Sequence, residues 1–379
     1  MKLLPYSIIF LFLLLIGCTK EPNSVGKDVL DENADKLKTA ADTSIAVSSS
    51  GYAITSANNS LTLLVGKSNN TEAKMLLQFG TFAVDTTIAN SILSAKIKLK
   101  PNYSFKDTVG VLAFSIHKMS KAWSEYNFTA DSLAGSYESA PINTYSFNAS
   151  SKDTLTIFDF DKNLVSDWLK GVTNDGIILV PDAGSNMIFG FDTYYYSSIS
   201  DARPQLEIVY RTAADTADQT ITIRTTQDAT VFSGTRPIST SSLFYVKGGL
   251  ISRGKLKFDV SNIPRGAAIT QAFLEMKADS LSSLFSNYTD YQIQVHDILK
   301  DDSIPSLSGT AATGKLSGNT FTIDIRNIVQ PWVAGKANYG IAIRLYNEFT
   351  QVERIAILGS AAADSTNKPR LRIQYTYLP

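Results

Sequence analysis

Trp, Gly, Gly, Pro and Tyr occur twice in this chain, in the same order and at nearly the same separations. Trp168, Gly171, Gly176, Pro204 and Tyr210 follow one another at intervals of 3, 5, 28 and 6 residues, and Trp332, Gly335, Gly340, Pro369 and Tyr375 at 3, 5, 29 and 6. Fixed spacing over such a span marks a duplicated structural unit. The match extends upstream, more loosely. KMLLQFG (Lys74 to Gly80) pairs with GKLKFDV (Gly254 to Val260), and ILSAKIKLK (Ile92 to Lys100) with ITQAFLEMK (Ile269 to Lys277). The two histidines, His117 and His296, each lie 38 residues after a phenylalanine, Phe79 or Phe258. Length agrees: 379 residues exceed the roughly 250–300 at which one hydrophobic core stops growing. The expected units are 41–212 and 213–379, meeting at the small, polar stretch TAADTADQT (Thr212 to Thr220).

Within each copy the apolar residues alternate with polar ones, as in AKIKLK, DTLTIF and QLEIVY, then AFLEMK, FTIDI and RLRIQY. Period two predicts strands with one face buried, and short strands divided by Gly, Asn, Ser and Asp clusters predict an all-β chain of two tandem jelly-roll-like β-sandwich domains. One segment per copy breaks the period. Leu164, Val165, Trp168 and Leu169, and likewise Ile328, Val329, Trp332 and Val333, fall at i, i+1, i+4 and i+5, which is one face of a helix. A short helix is predicted at each, ending at Gly171 or Gly335, where a left-handed cap costs little. Pro331 is tolerable only in a first turn, which predicts a shorter second helix.

The N-terminus reads MKLLPYSIIFLFLLLIGCTKEPNS. An apolar run this short, followed by small residues and a polar stretch, predicts an export signal over 1–18 and not a spanning helix. Leu15, Ile16, Gly17 and Cys18 resemble the lipobox of bacterial lipoproteins, which implies acylation of Cys18, the chain's single cysteine. Residues 19–40 are polar and poor in aromatics, which predicts a flexible tether. The expected setting is the cell envelope, with the protein lipid-anchored to the outer membrane and exposed at the surface. A single cysteine permits no intrachain disulfide, so stability has to come from core burial.

The functional classes narrow by what is missing. With 35 basic and 35 acidic residues the chain has no global field to gather nucleic acid. A Ser or Cys hydrolase needs a nucleophile beside a His base, yet both histidines sit in strand-like alternation at equivalent places, which predicts structural hydrogen bonding. No HExxH, CxxC pair, Gly-rich phosphate loop or EF-hand loop occurs, so no metal site and no cofactor are assigned. Glycoside cleavage needs two acids facing across a cleft, whereas Asp159 and Asp161 would lie on one side of a strand as solvated neighbours. The expectation is a protein that is not an enzyme.

The repeated pieces together resemble the DNRLRE family of bacterial extracellular domains, also grouped with carbohydrate-binding modules. The second copy supplies VKG, KLKFD, ITQAFLEM, VQPWVAGKANYGIAI and KPRLRIQY. The first supplies LVG, MLLQF, ILSAKIKL, AWSE (Ala122 to Glu125), VSDWLKGVTNDGIIL and RPQLEIVY. The resemblance implies a jelly-roll sandwich and glycan binding alongside enzymes or importers of polysaccharide degradation. The second copy has DILKDDSIPS where the first has its W-x-E loop, and is shorter there, with 36 residues from His296 to Trp332 against 51 from His117 to Trp168.

Sugar recognition needs exposed rings to stack on a pyranose face and polar groups to fix its hydroxyls. FDTYYYSS offers Tyr194, Tyr195 and Tyr196; on a strand the first and third would share one face and the second the other. AWSEYNF offers Trp123, Glu125 and Tyr126; the alternatives are core packing for Trp123 and an edge-strand pair for the tyrosines. Trp168 and Trp332 are assigned to packing. The expected function is a non-catalytic surface lipoprotein whose two modules bind polysaccharide; the alternative is a structural or adhesive protein acting through protein contacts.

Overall fold

The structure, a computed structural model, describes residues 36–55, 61–80, 82–105, 109–150, 155–195, 203–286 and 290–378. The signal segment 1–18 with Cys18, most of the 19–40 tether, and Tyr196 lie outside the described residues.

The chain is all-β. Two strands come first, β1 (Lys38–Ile45) and β2 (Ser48–Ala53). The first half then contributes β3 (Thr62–Ser68), β4 (Thr71–Phe79), β5 (Ile92–Leu99), β6 (Pro101–Ser104) and β7 (Val109–Lys118). It continues with β8 (Asn143–Ser150), β9 (Thr156–Phe160), β10 (Ile177–Pro181), β11 (Ile188–Asp192) and β12 (Gln205–Tyr210). β13 (Gln219–Gly234) leads to the second half, with β14 (Leu243–Lys247), β15 (Ser252–Lys257), β16 (Ala268–Leu284), β17 (Gln292–Lys300) and β18 (Ser306–Ser317). β19 (Thr320–Asp324), β20 (Ile341–Leu345), β21 (Arg354–Leu358) and β22 (Arg370–Tyr377) complete it. Among the described residues the α-helices are α1 (Thr86–Ala89), α2 (Lys162–Leu169) and α3 (Arg326–Val333).

Among the described residues the strands form two 11-stranded sheets, each around its own apolar core. In the second, β21 also pairs with β16, so the sheet closes on itself.

The repeated Trp, Gly and Gly have concrete jobs. All four apolar residues of each helical face are buried, with Trp168 against Phe79, Phe82 and Phe160. Gly171 (φ 93°) and Gly335 (φ 107°) end the helices in the left-handed region as predicted, each amide donating to the carbonyl of its Trp at 3.0 Å. Asn174 then donates to Phe79 O at 3.0 Å and accepts from the Gly176 amide at 2.9 Å; Asn338 does the same with Phe258 O at 2.8 Å and Gly340 at 3.0 Å. One asparagine thus pins each turn to the strand that begins the core. The shorter second helix is corrected. α3 has as many residues as α2, with Pro331 in its second turn. The amide that Pro331 lacks would have met the carbonyl of Asn327, an exposed residue whose carbonyl water can satisfy.

The two halves read from the repeat do not each build their own sheet. β1 and β2 belong to the sheet of the second half, pairing with β22 and β15, while β13 belongs to that of the first, pairing with β12 and β4. The roles are equivalent residue by residue. Ala40 opposes Tyr375 as Gln219 opposes Tyr210, and Ala53 opposes Ser252 as Phe232 opposes Ala73. At the crossing between the two pairings, Ala46 N donates to Pro369 O at 2.9 Å and Thr225 N to Pro204 O at 3.1 Å. Each sequence half therefore lends its leading strand to the other. The polar stretch 212–220 runs within one sheet, from β12 into β13, and does not divide two sheets.

A further apolar cluster joins the halves: Leu64, Ala73, Tyr103, Phe105 and Ile188 with Val352, and Phe232 and Leu284 against them. Beside it Lys247 is buried, donating to Thr71 Oγ1 at 3.1 Å and to Gly248 O at 3.2 Å. Tyr103 donates to the buried Glu353 carboxylate at 3.2 Å and accepts from Val352 N at 3.3 Å.

Candidate functional site

The runs MLLQF in β4 and IILV in β10 lack alternation because both of their faces are covered. Leu77 and Ile177 face the core of the first half, whereas Leu76 and Ile178 lie on the outer face under the loop that follows β7. Met119, Trp123 and Phe128 of that loop, with Ala229 and Val231 of β13, complete the outer cluster. Trp123 is buried there, edge-on to Phe128 (centroids 6.1 Å apart), with its Nε1 donating to Asp175 O at 2.9 Å. Of its two readings, packing and stacking, the burial fits packing, since a ring closed in by side chains offers no face to a sugar.

Pinning Trp123 places the next residues of the loop. Glu125 is buried and receives two phenols on one oxygen, Tyr194 at 3.0 Å and Tyr195. Tyr126 is 62% exposed, and its hydroxyl meets that of Tyr195 at 3.1 Å. The rings of Tyr194 and Tyr195 lie 4.1 Å apart. The two sequence candidates, 69 residues apart, therefore form one cluster. The strand premise does not hold: β11 ends at Asp192, and Tyr194 and Tyr195 sit in a turn beyond it, so both hydroxyls converge instead of pointing to opposite faces. Burial and then hydrogen bonding push the Tyr195 phenol far above its usual range, and burial raises that of Tyr194, so both remain donors to Glu125.

Asp228 was not singled out from the sequence. It is buried on β13 and accepts from the Tyr194 amide at 2.6 Å, holding the turn in place. Its signal was legible, as an acid inside the otherwise uncharged run TTQDATVF. Burial, and to a smaller degree the Glu125 charge, push its pKa up to about 7. Lys247 is pushed down to about 7 by burial and by Arg354 and Arg236, against the pull of Glu353. The signs are opposite in their pH windows. Protonated Asp228 favours the folded state below its ordinary value near 3.8, and that contribution is lost as pH rises toward 7. Neutral Lys247 favours the folded state above its ordinary 10.5, and that contribution is lost as pH falls toward 7. Thermal melts are expected to show Asp228→Asn flattening the fall of stability from about pH 4 to 7, and Lys247→Met flattening the rise from about 7 to 10. An unchanged slope in either variant contradicts the assignment.

Both histidines are held by hydrogen bonds, His117 also meeting Ser115 Oγ through Nε2 at 3.0 Å. Nδ1 of His117 donates to Glu138 O at 2.9 Å and Nδ1 of His296 to Ser308 O at 2.9 Å, since a carbonyl can only accept. Nε2 of His296 is then the acceptor from Arg344 Nε at 3.2 Å, and burial lowers its pKa. Of the two strand-neighbour acids, Asp159 is exposed, while Asp161 caps α2 by accepting from Asn163 N at 2.8 Å.

No family model and no curated protein match this chain. Among solved structures it is similar to the C-terminal domain of the Streptococcus agalactiae antigen I/II polypeptide BspA, with 10% identity, a TM-score of 0.17, and coverage of 86% of this chain and 90% of that one. The C-terminal domain of the Streptococcus pyogenes antigen I/II-family protein AspA gives 10% identity and 0.17, covering 88% and 92%. The structure of infectious bursal disease virus strain Gx gives 8% and 0.14, covering 91% and 78%. Overlaps this weak bear on neither fold detail nor function.

Proposed function

We propose that this chain is a non-catalytic lipoprotein of the cell surface, built of two jelly-roll-like modules of the DNRLRE type, that binds polysaccharide through its first half. The observation carrying this reading is the Glu125, Tyr126, Tyr194 and Tyr195 cluster. Tyr126 presents an exposed ring whose hydroxyl is fixed through Tyr195 to a buried carboxylate, so the ring is held in place before any ligand arrives. A preorganised aromatic loses little freedom on stacking against a pyranose. Among the described residues the exposed aromatics of the second half are Tyr339, Tyr346 and Phe349, and its shorter loop has no counterpart of this cluster. One site per chain follows, with many chains on one membrane gaining by avidity. Enzymes or importers of glycan degradation are the partners that suit such a role.

Retention of the soluble chain from residue 20 on plant, algal and microbial polysaccharides tests the reading. Tyr126→Ala is expected to weaken retention by about tenfold, the worth of one stacked ring at roughly 1–1.5 kcal/mol, while Tyr346→Ala leaves it unchanged. Absence of retention on every glycan would leave protein contacts as the role. For the anchor, a Cys18→Ala chain is expected in the soluble fraction of cells; a chain that stays with the membranes refutes lipidation.

A further inference from the structure

We infer that β1 and β2 form a detachable arm, and that the edges of β15 and β22 beneath it are a reversible binding site for that extended segment. Two observations carry this. The arm pairs along its length, from Lys38 against Tyr377 to Ala53 against Ser252, so it is held as an added strand is held, mainly by main-chain bonds.

Its inward residues are also poor in apolar surface. Asp42, Ser44 and Ala46 stand where β13 has Ile221, Ile223 and Thr225, as the register of the two closing strands fixes. Only Ala46 of the arm enters the buried core, with Ala40 packed against it. Ser49 adds polar bonds, donating to Ser241 O at 2.7 Å and accepting from Ser360 N at 2.9 Å. The same fold position is thus filled once by a greasy strand and once by a thin one.

Ile54 and Thr55, where the arm leaves the sheet, border a cleft of about 300 Å³ with Arg236 and Leu250, and Ile54 is tied there by its amide to Ile251 O at 3.2 Å and by Arg236 to its carbonyl at 3.3 Å. β-strands held at an edge by small side chains open at lower cost than those that carry core residues.

Hydrogen exchange on the soluble chain from residue 20 tests this directly. The Ala46 amide is expected to exchange at least about tenfold faster than its equivalent, Thr225, with the other paired amides of 38–53 following it; equal or greater protection in the arm overturns the inference. A second measurement uses the chain cut at a protease site placed in the 54–61 connection. A labelled peptide of residues 36–55 is expected to replace the cut arm and co-elute with the body, and the same peptide with Ala46→Asp is not. Failure of the peptide to enter a cut chain that keeps its circular dichroism, or collapse of the fold on cutting, overturns it. Neither measurement involves a glycan, so the result is separate from the fate of the binding proposal.

Discussion

Replacing Trp332 by alanine is expected to cost about 3–5 kcal/mol of stability, the usual range for emptying a buried tryptophan site. The sharper comparison is with phenylalanine. The indole of Trp332 donates to Asp297 Oδ1 at 3.0 Å, and Asp297 is buried, its other oxygen taken by Lys336 at 2.8 Å. Trp332→Phe keeps most of the ring but leaves a buried carboxylate oxygen without its donor, at about 1–3 kcal/mol. In the first half the place after the histidine belongs to Lys118, whose ammonium cannot accept, and the buried Nε1 of Trp168 has no partner among the described residues. Trp168→Phe is therefore expected to cost under about 1.5 kcal/mol. Denaturant unfolding of both phenylalanine variants checks the order; equal costs would mean that the Asp297 bond contributes nothing.

Gly340→Ala is expected to destabilise by roughly 2–5 kcal/mol, combining a left-handed backbone with a steric clash. Gly340 has φ 94°, and a Cβ there would sit on the carbonyl oxygen of Leu256, in the strand that opens the second core. Backbone cannot step aside as a side-chain tip can. Gly176, at φ 86°, meets Leu77 O in the same way. By contrast Gly318 (φ 60°) has nothing within 4 Å of its Cβ position, so Gly318→Ala carries only the backbone strain. Thermal melting of Gly340→Ala beside Gly318→Ala separates the two terms. A similar loss in both would show that the approach to Leu256 is not what requires glycine.

Much of the candidate site could be read from the chain, and the reading failed where burial had to be known. Glu125 and Tyr126, and Tyr194 and Tyr195, were candidates by residue type alone. Their convergence on one carboxylate oxygen did not follow from it, because the segments approach only once β7, β10 and β13 fix where the loop and turn lie. Trp123 has the same composition signal as a stacking tryptophan. Its assignment was settled by Leu76, Ile178, Ala229 and Val231 on the outer face beneath it, and an alternating pattern cannot reveal that a second face is covered.

What the sequence determined by itself is the local and the repeated. Period-two runs made strands, four apolar residues on one face made each helix, and an Asn and a positive-φ glycine made the turn after it, since these depend on neighbours within a few residues. Duplication was legible because each copy needs the same residues at the same places. Which copy a strand serves was decided only by the tertiary structure. β1, β2 and β13 are joined to their sheets by backbone bonds, and hydrogen-bond pairing carries no label of which half of the chain supplies it. Their exchange depends on where the chain can reach once the halves have met, which no single stretch of residues records.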